Sequence, residues 1–130
     1  MTIPTVTALY GSLNALLNVA LGLNVVRYRT KAGVSLGEGG SKELLVAVRT
    51  HSNNAEFVPL ALVMLLVVEL CGGASLWLHA AGGALFLGRV LHVIGMPRKA
   101  PNPYRFIGVT ITYVLITALA AYALWLRRGA

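Results

Sequence analysis

Four stretches of the chain are each long and apolar enough to cross a bilayer, and this limits the fold more than any other feature. The first, Ile3 to Val26, contains no charged residue. The others run from about Leu44 to Leu70, Ala74 to Met96 and Phe106 to Leu126. A spanning helix needs roughly 20 mainly apolar residues for a hydrocarbon core about 30 Å thick. None of the stretches alternates with period two, so barrel strands are not indicated, and each is long enough to span. Composition agrees: of 130 residues, 57% are hydrophobic and 12% charged, against about 25% charged in a typical soluble domain. The expected fold is all-α and integral to the membrane, with residues 1–130 forming one up-down bundle of four transmembrane helices joined by short connections.

The first stretch lacks a Lys or Arg ahead of its apolar run and is longer than the core of a secretory signal, so it reads as a retained helix. Basic residues set the orientation. Arg27, Arg29, Lys31 and Lys42 lie between helices one and two, and Arg98, Lys99 and Arg105 between helices three and four. The link CGGA carries no charge and the C-terminus only Arg127 and Arg128. Both basic loops are expected to be cytoplasmic and both termini on the other side, as in a bacterial inner-membrane protein. Trp77 and Trp125 then fall at the far interface as belt anchors. The net charge of +7 sits at membrane ends, where topology and anionic lipid account for it, so nucleic acid is not an expected partner. Cys71 is the sole cysteine; it excludes an intrachain disulfide and reads as a small packing residue at a helix end.

The loop KAGVSLGEGGSKE carries Gly33, Gly37, Gly39 and Gly40, which interrupt helix, and Ser41 with Glu43 marks a helix start. KAPNPYR, with Pro101 and Pro103, is a turn. Gly82, Gly83 and Gly88 in helix three, and Ala15, Ala20 and Gly22 in helix one, allow close helix approach in lipid.

The run RTHSNNAEF, residues 49–57, places costly polar groups directly before VPLALVMLLVV. At about 100° per residue, Arg49, Asn53 and Glu56 share one helix face within about 60°, while His51 and Asn54 point to the flanks. A charge near a helix centre costs on the order of 2.5–3.5 kcal/mol, so this face is expected to turn from lipid toward protein or trapped water. Pairing of Arg49 with Glu56 would be a purely structural explanation. Arg89 and His92 in helix three, Arg105 at the start of helix four, and Arg27 and Arg29 closing helix one reach the same level. These cations face one acid, Glu56, and the excess calls for a small anionic ligand. Guanidinium groups bind carboxylates bidentately, and a nearby guanidinium favours a thiolate over a thiol. Glutathione, with two carboxylates, one ammonium and one thiol, fits that description. His51, His79 and His92 are too dispersed to suggest a metal site and read as hydrogen-bonding groups; Tyr104 and Tyr113 read as interface and packing residues.

The pattern R-x-H-x-N-x-x-E-x-x-P, here Arg49, His51, Asn53, Glu56 and Pro59, resembles the signature of the MAPEG family, membrane-associated proteins in eicosanoid and glutathione metabolism. GRVLHVIGMPRKAPNPYR resembles the end of helix three and the following loop of microsomal prostaglandin E synthase: Arg89, His92 three residues later and Arg105 sixteen residues after Arg89. The resemblance covers essentially the whole chain. It implies a homotrimer of four-helix bundles with glutathione between adjacent subunits near the cytoplasmic side. Arg49, Asn53, Glu56 and Arg89, with His92, would bind glutathione, Arg105 would activate its thiol, and Arg27 or Arg29 would contribute from helix one. Phe57, Met96 and Phe106 replace a tyrosine, a tyrosine and a serine of the eicosanoid-forming relatives, which argues against eicosanoid synthesis. The GEGG loop is similar to that of bacterial members.

Two functions remain from this reading: a glutathione-dependent transferase or peroxidase, as in microsomal glutathione transferase, taking a hydrophobic electrophile from the bilayer, and a non-catalytic binding or scaffold protein of the same fold. Intramembrane charges also mark ion pathways, but these cluster at one end, with only Glu69 and His79 toward the other.

Overall fold

The computed structural model describes residues 3–129. Its helices are α1 (Thr5–Ala32), α2 (Lys42–Leu70), α3 (Ser75–Gly95) and α4 (Pro103–Leu126), followed by a short 3₁₀ turn, Arg127–Gly129. All four are long and apolar enough to cross a membrane, and no strand occurs among the described residues.

The helix ends differ instructively from those expected. Helix α1 continues past Val26 to Ala32, where Gly33 adopts φ 65° and its N–H caps the carbonyls of Arg29 and Thr30. The left-handed glycine, and not the end of the apolar run, stops the helix. Arg27, Arg29 and Lys31 therefore ride on its last turns, with Arg29 and Lys31 favourably placed against its dipole. Ser41 caps α2 as expected, its Oγ accepting from Leu44 N at 3.2 Å. Helix α4 starts three residues ahead of Phe106, because Asn102 caps it and Pro103 is preorganised for a first turn. Cys71 is exposed just beyond α2, which corrects the packing role expected for it.

Helices α2 and α3 form the centre. Each of α1 and α4 packs on both of them, while the α1 and α4 backbones make no close approach among the described residues. Neighbours run antiparallel: the end of α2 meets the start of α1 through Glu69, and the end of α3 meets the start of α4 at Gly95 and Arg105. Near the chain termini lies an apolar cluster of Val6, Leu65, Val68, Leu78 and Leu119. Glu69 is buried beside it. Its carboxylate accepts from Val6 N at 2.9 Å, Thr7 N at 2.7 Å and Thr7 Oγ1 at 2.6 Å. Pro4, at the start of α1, supplies no side-chain cap, so an acid from another helix satisfies its first donors and complements its dipole.

Glycines set the helix spacing. A Cβ on Gly82 would strike the Tyr10 ring, and one on Gly88 would lie 3.0 Å from the side chain of Ile111. Outward, Leu16, Val19 and Leu23 of α1 and Trp77 and Trp125 near the termini are exposed, as lipid- or partner-facing groups are.

Candidate functional site

At the loop end of the bundle, α2, α3 and α4 enclose a cavity of about 230 Å³ lined by Leu45, Val46, Arg49, Asn53, His92, Met96 and Arg105. Helix periodicity stacks Arg49 over Asn53 and His92 over Met96, each pair one turn apart. Arg105 arrives from the first turn of α4 by a less obvious route. A Cβ on Gly95 would collide with the Arg105 backbone, so glycine there lets the two helix ends touch. Asn102 then ties them: its Oδ1 accepts from Arg105 N at 3.0 Å and its Nδ2 donates to the Gly95 carbonyl at 3.0 Å. Gly108 extends the close approach, facing the Gly88 carbonyl and His92.

Arg89 lies beneath this cavity and does not line it. It is fully buried, at 0% exposure, and every hydrogen-bond partner is neutral. Nε donates to Asn54 Oδ1 at 3.0 Å, Nη2 to Asn53 Oδ1 at 2.8 Å and, weakly, to His92 Nδ1 at 3.4 Å, and Nη1 to Thr112 Oγ1 at 3.4 Å. Guanidinium has no acceptor, so His92 Nδ1 accepts and the imidazole N–H is at Nε2. A buried cation with a partner at each nitrogen but its charge unmatched projects positive potential into the space above it.

Of the residues singled out in the sequence, Arg49, Asn53, His92 and Arg105 are thus brought together around one opening. Arg89 reaches it through Asn53 and His92. Glu56 is exposed and outside the lining, as is Arg27, whose guanidinium lies 5.9 Å from the Tyr28 ring centroid. Arg29 is committed to its own loop, donating to the Ser35 and Gly37 carbonyls at 3.3 and 2.9 Å. Arg49 and Glu56 are both exposed, whereas their face was expected to turn toward protein or trapped water; Arg49 still borders the cavity and Glu56 does not. Sequence reasoning missed Asn54, Thr112 and Asn102 as parts of this assembly. Asn54 in particular, placed on a flank, is fully buried and also donates to Asn18 Oδ1 at 3.1 Å. Its position one residue after the signature Asn53 was the available clue.

Residues 7–125 match the family model described as the MAPEG family. The chain belongs to the MAPEG family. Among curated MAPEG relatives, the inner membrane protein YecN of Escherichia coli strain K12 is 34% identical over 120 residues, covering 92% of this chain and 91% of that protein. The YecN of Escherichia coli O6:H1 matches with the same figures. The signature residues Arg49 and Asn53 line the cavity, and Met96 is part of its wall.

Proposed function

We propose that the protein is a glutathione-binding membrane enzyme that generates the glutathione thiolate and delivers it to hydrophobic electrophiles. The observation that carries this reading is the cavity where Arg49, Asn53, His92 and Arg105 converge above the buried Arg89, with no carboxylate in its lining. Arg49 and the free amide N–H of Asn53 would hold a glutathione carboxylate. Arg105, exposed at the cavity edge, would face the sulfur and favour its ionised form, the proton leaving to water. The thiolate then attacks an electrophilic carbon arriving from the bilayer: as the C–S bond forms, the bond from that carbon to its leaving group breaks and the group departs with the electron pair, or, for a conjugated alkene, the C=C π bond breaks and the resulting carbanion takes a proton from water.

Assembly completes the site in this reading. The exposed Arg49, Glu56 and Arg27 are groups an adjacent subunit would cover, with Glu56 available to the ligand ammonium, consistent with the trimer implied by the resemblance. The membrane placement would be that of the relatives, an inner membrane, with both termini away from the cytoplasm. A scaffold role is favoured by Met96 in the cavity wall, at the place where the resemblance to eicosanoid-forming enzymes implies a ring hydroxyl. The test is thiolate absorbance in the ultraviolet on mixing purified protein with glutathione near neutral pH, alongside calorimetric binding, for wild type and Arg105→Ala. A thiolate signal in wild type that is lost in the variant, with binding retained, supports the enzyme. Binding without ionisation in wild type supports the scaffold.

A further inference from the structure

A second opening lies on the other side of α2, in the membrane-embedded middle of the bundle. Between α1 and α2 a groove of about 240 Å³ is bordered by Asn14, Ala15, Asn18, Ala55 and Pro59, among others. Asn14 is 1% exposed. Its Nδ2 donates to the Tyr10 carbonyl at 2.8 Å, but its Oδ1 is buried with no hydrogen-bond partner. Pro59, inside α2, has no N–H to give to the Ala55 carbonyl one turn earlier. Two acceptors at bilayer depth thus lack their ordinary donors, where water is scarce and an unmet polar group costs several kcal/mol. The Oδ1 of Asn18 is taken by Asn54 at 3.1 Å, leaving the Asn18 amide N–H groups to donate.

We infer that this groove is a binding site for the hydroxyl head of a neutral amphiphile dissolved in the bilayer. A hydroxyl both donates and accepts: its single proton can go to the Asn14 Oδ1 or to the Ala55 carbonyl, and its oxygen can accept from the Asn18 amide. A charged head is excluded by the lining, which offers neither a cation nor an acid. The small faces of Ala15 and Ala55, both exposed to the bilayer side, leave the groove open to lateral entry. This groove shares no lining residue with the cavity at Arg105, although Asn54, at its border, also accepts from Arg89, and it needs no glutathione.

The test uses the full chain in lipid nanodiscs, photolabelled with a long-chain diazirine alcohol and with its methyl ether, followed by peptide mass spectrometry. The alcohol is expected to label the α1 and α2 groove about five-fold more than the ether, the discrimination one net hydrogen bond supplies. Asn14→Leu removes the acceptor, and Ala15→Leu fills the groove from its exposed edge without touching buried contacts; each is expected to abolish the preference. Equal labelling by the two probes, or a preference that survives Ala15→Leu, overturns the assignment. So does an Ala15→Leu variant that changes oligomer size while labelling stays the same, which would put a second copy of the chain in the groove.

Discussion

The two ends of the bundle handle buried charge in opposite ways. At the terminal end, one acid, Glu69, is met by three donors from the start of α1, next to a dense apolar cluster. At the loop end, Arg89 is met only by neutral groups, and Arg49 and Arg105 stand exposed above it. The first arrangement is complete within the chain and joins α2 to α1. The second is satisfied in hydrogen bonds but not in charge, and that surplus is what an anion would answer. A charge in a membrane protein therefore indicates ligand binding only when the chain has not already neutralised or capped something with it.

Substitutions can break or sharpen that contrast. The largest effect is expected from Arg89→Met, which leaves the Asn53 and Asn54 oxygens without their donor and should cost about 3 kcal/mol. It should also weaken glutathione binding, both read from thermal unfolding in detergent with and without ligand. Next, Glu69→Ala strips the first donors of α1 of their acceptor and should cost about 2 kcal/mol. The folded variant should bind glutathione like wild type; a loss of affinity there would show that the two ends are not separable. Gly95→Ala, by pushing a methyl group into the Arg105 backbone, should cost about 1–2 kcal/mol and shift Arg105 enough to reduce thiolate formation. Gly11→Ala, inside α1 with nothing within 4 Å of its Cβ, is the matched control: it should stabilise by about 0.5–1 kcal/mol through helix propensity and leave thiolate formation unchanged. The smallest effect is expected for Thr112→Val, which deletes a 3.4 Å contact to Arg89 and should cost about 0.5–1 kcal/mol, measurable as a shift in unfolding midpoint with ligand affinity nearly preserved.

Features set by local chemistry were legible in the sequence. The apolar runs marked four helices, Ser41 announced the start of α2, and the spacing of Arg49 and Asn53 placed them on one face. The close approach of Gly82 and Gly88 to other helices was likewise expected from small residues in lipid. What could not be read depends on which helix sits next to which. Glu69 looked like an isolated charge because the amides it caps are 62 and 63 residues away. Asn102 looked like part of a proline turn, although its side chain holds both helices that shape the cavity. Asn54 was one polar residue among several until Arg89 from α3 was laid against it. The sequence gathered the cations at one level of the membrane, but only the packing separated Arg89, sealed beneath the floor, from Arg49 and Arg105 at the opening.

The tie made by Asn102 has a practical consequence for handling the molecule. The connection from Met96 to Asn102 is laced by one amide to Gly95, Lys99 and Arg105, so length added there must be absorbed by moving Arg105. The connection from Gly33 to Ser41 is anchored mainly by Arg29 on its exposed surface, and none of the residues lining the Arg105 cavity belongs to it. An epitope or fluorescent reporter belongs in that first loop, next to Glu38, where it can follow the protein without disturbing the opening at the other junction.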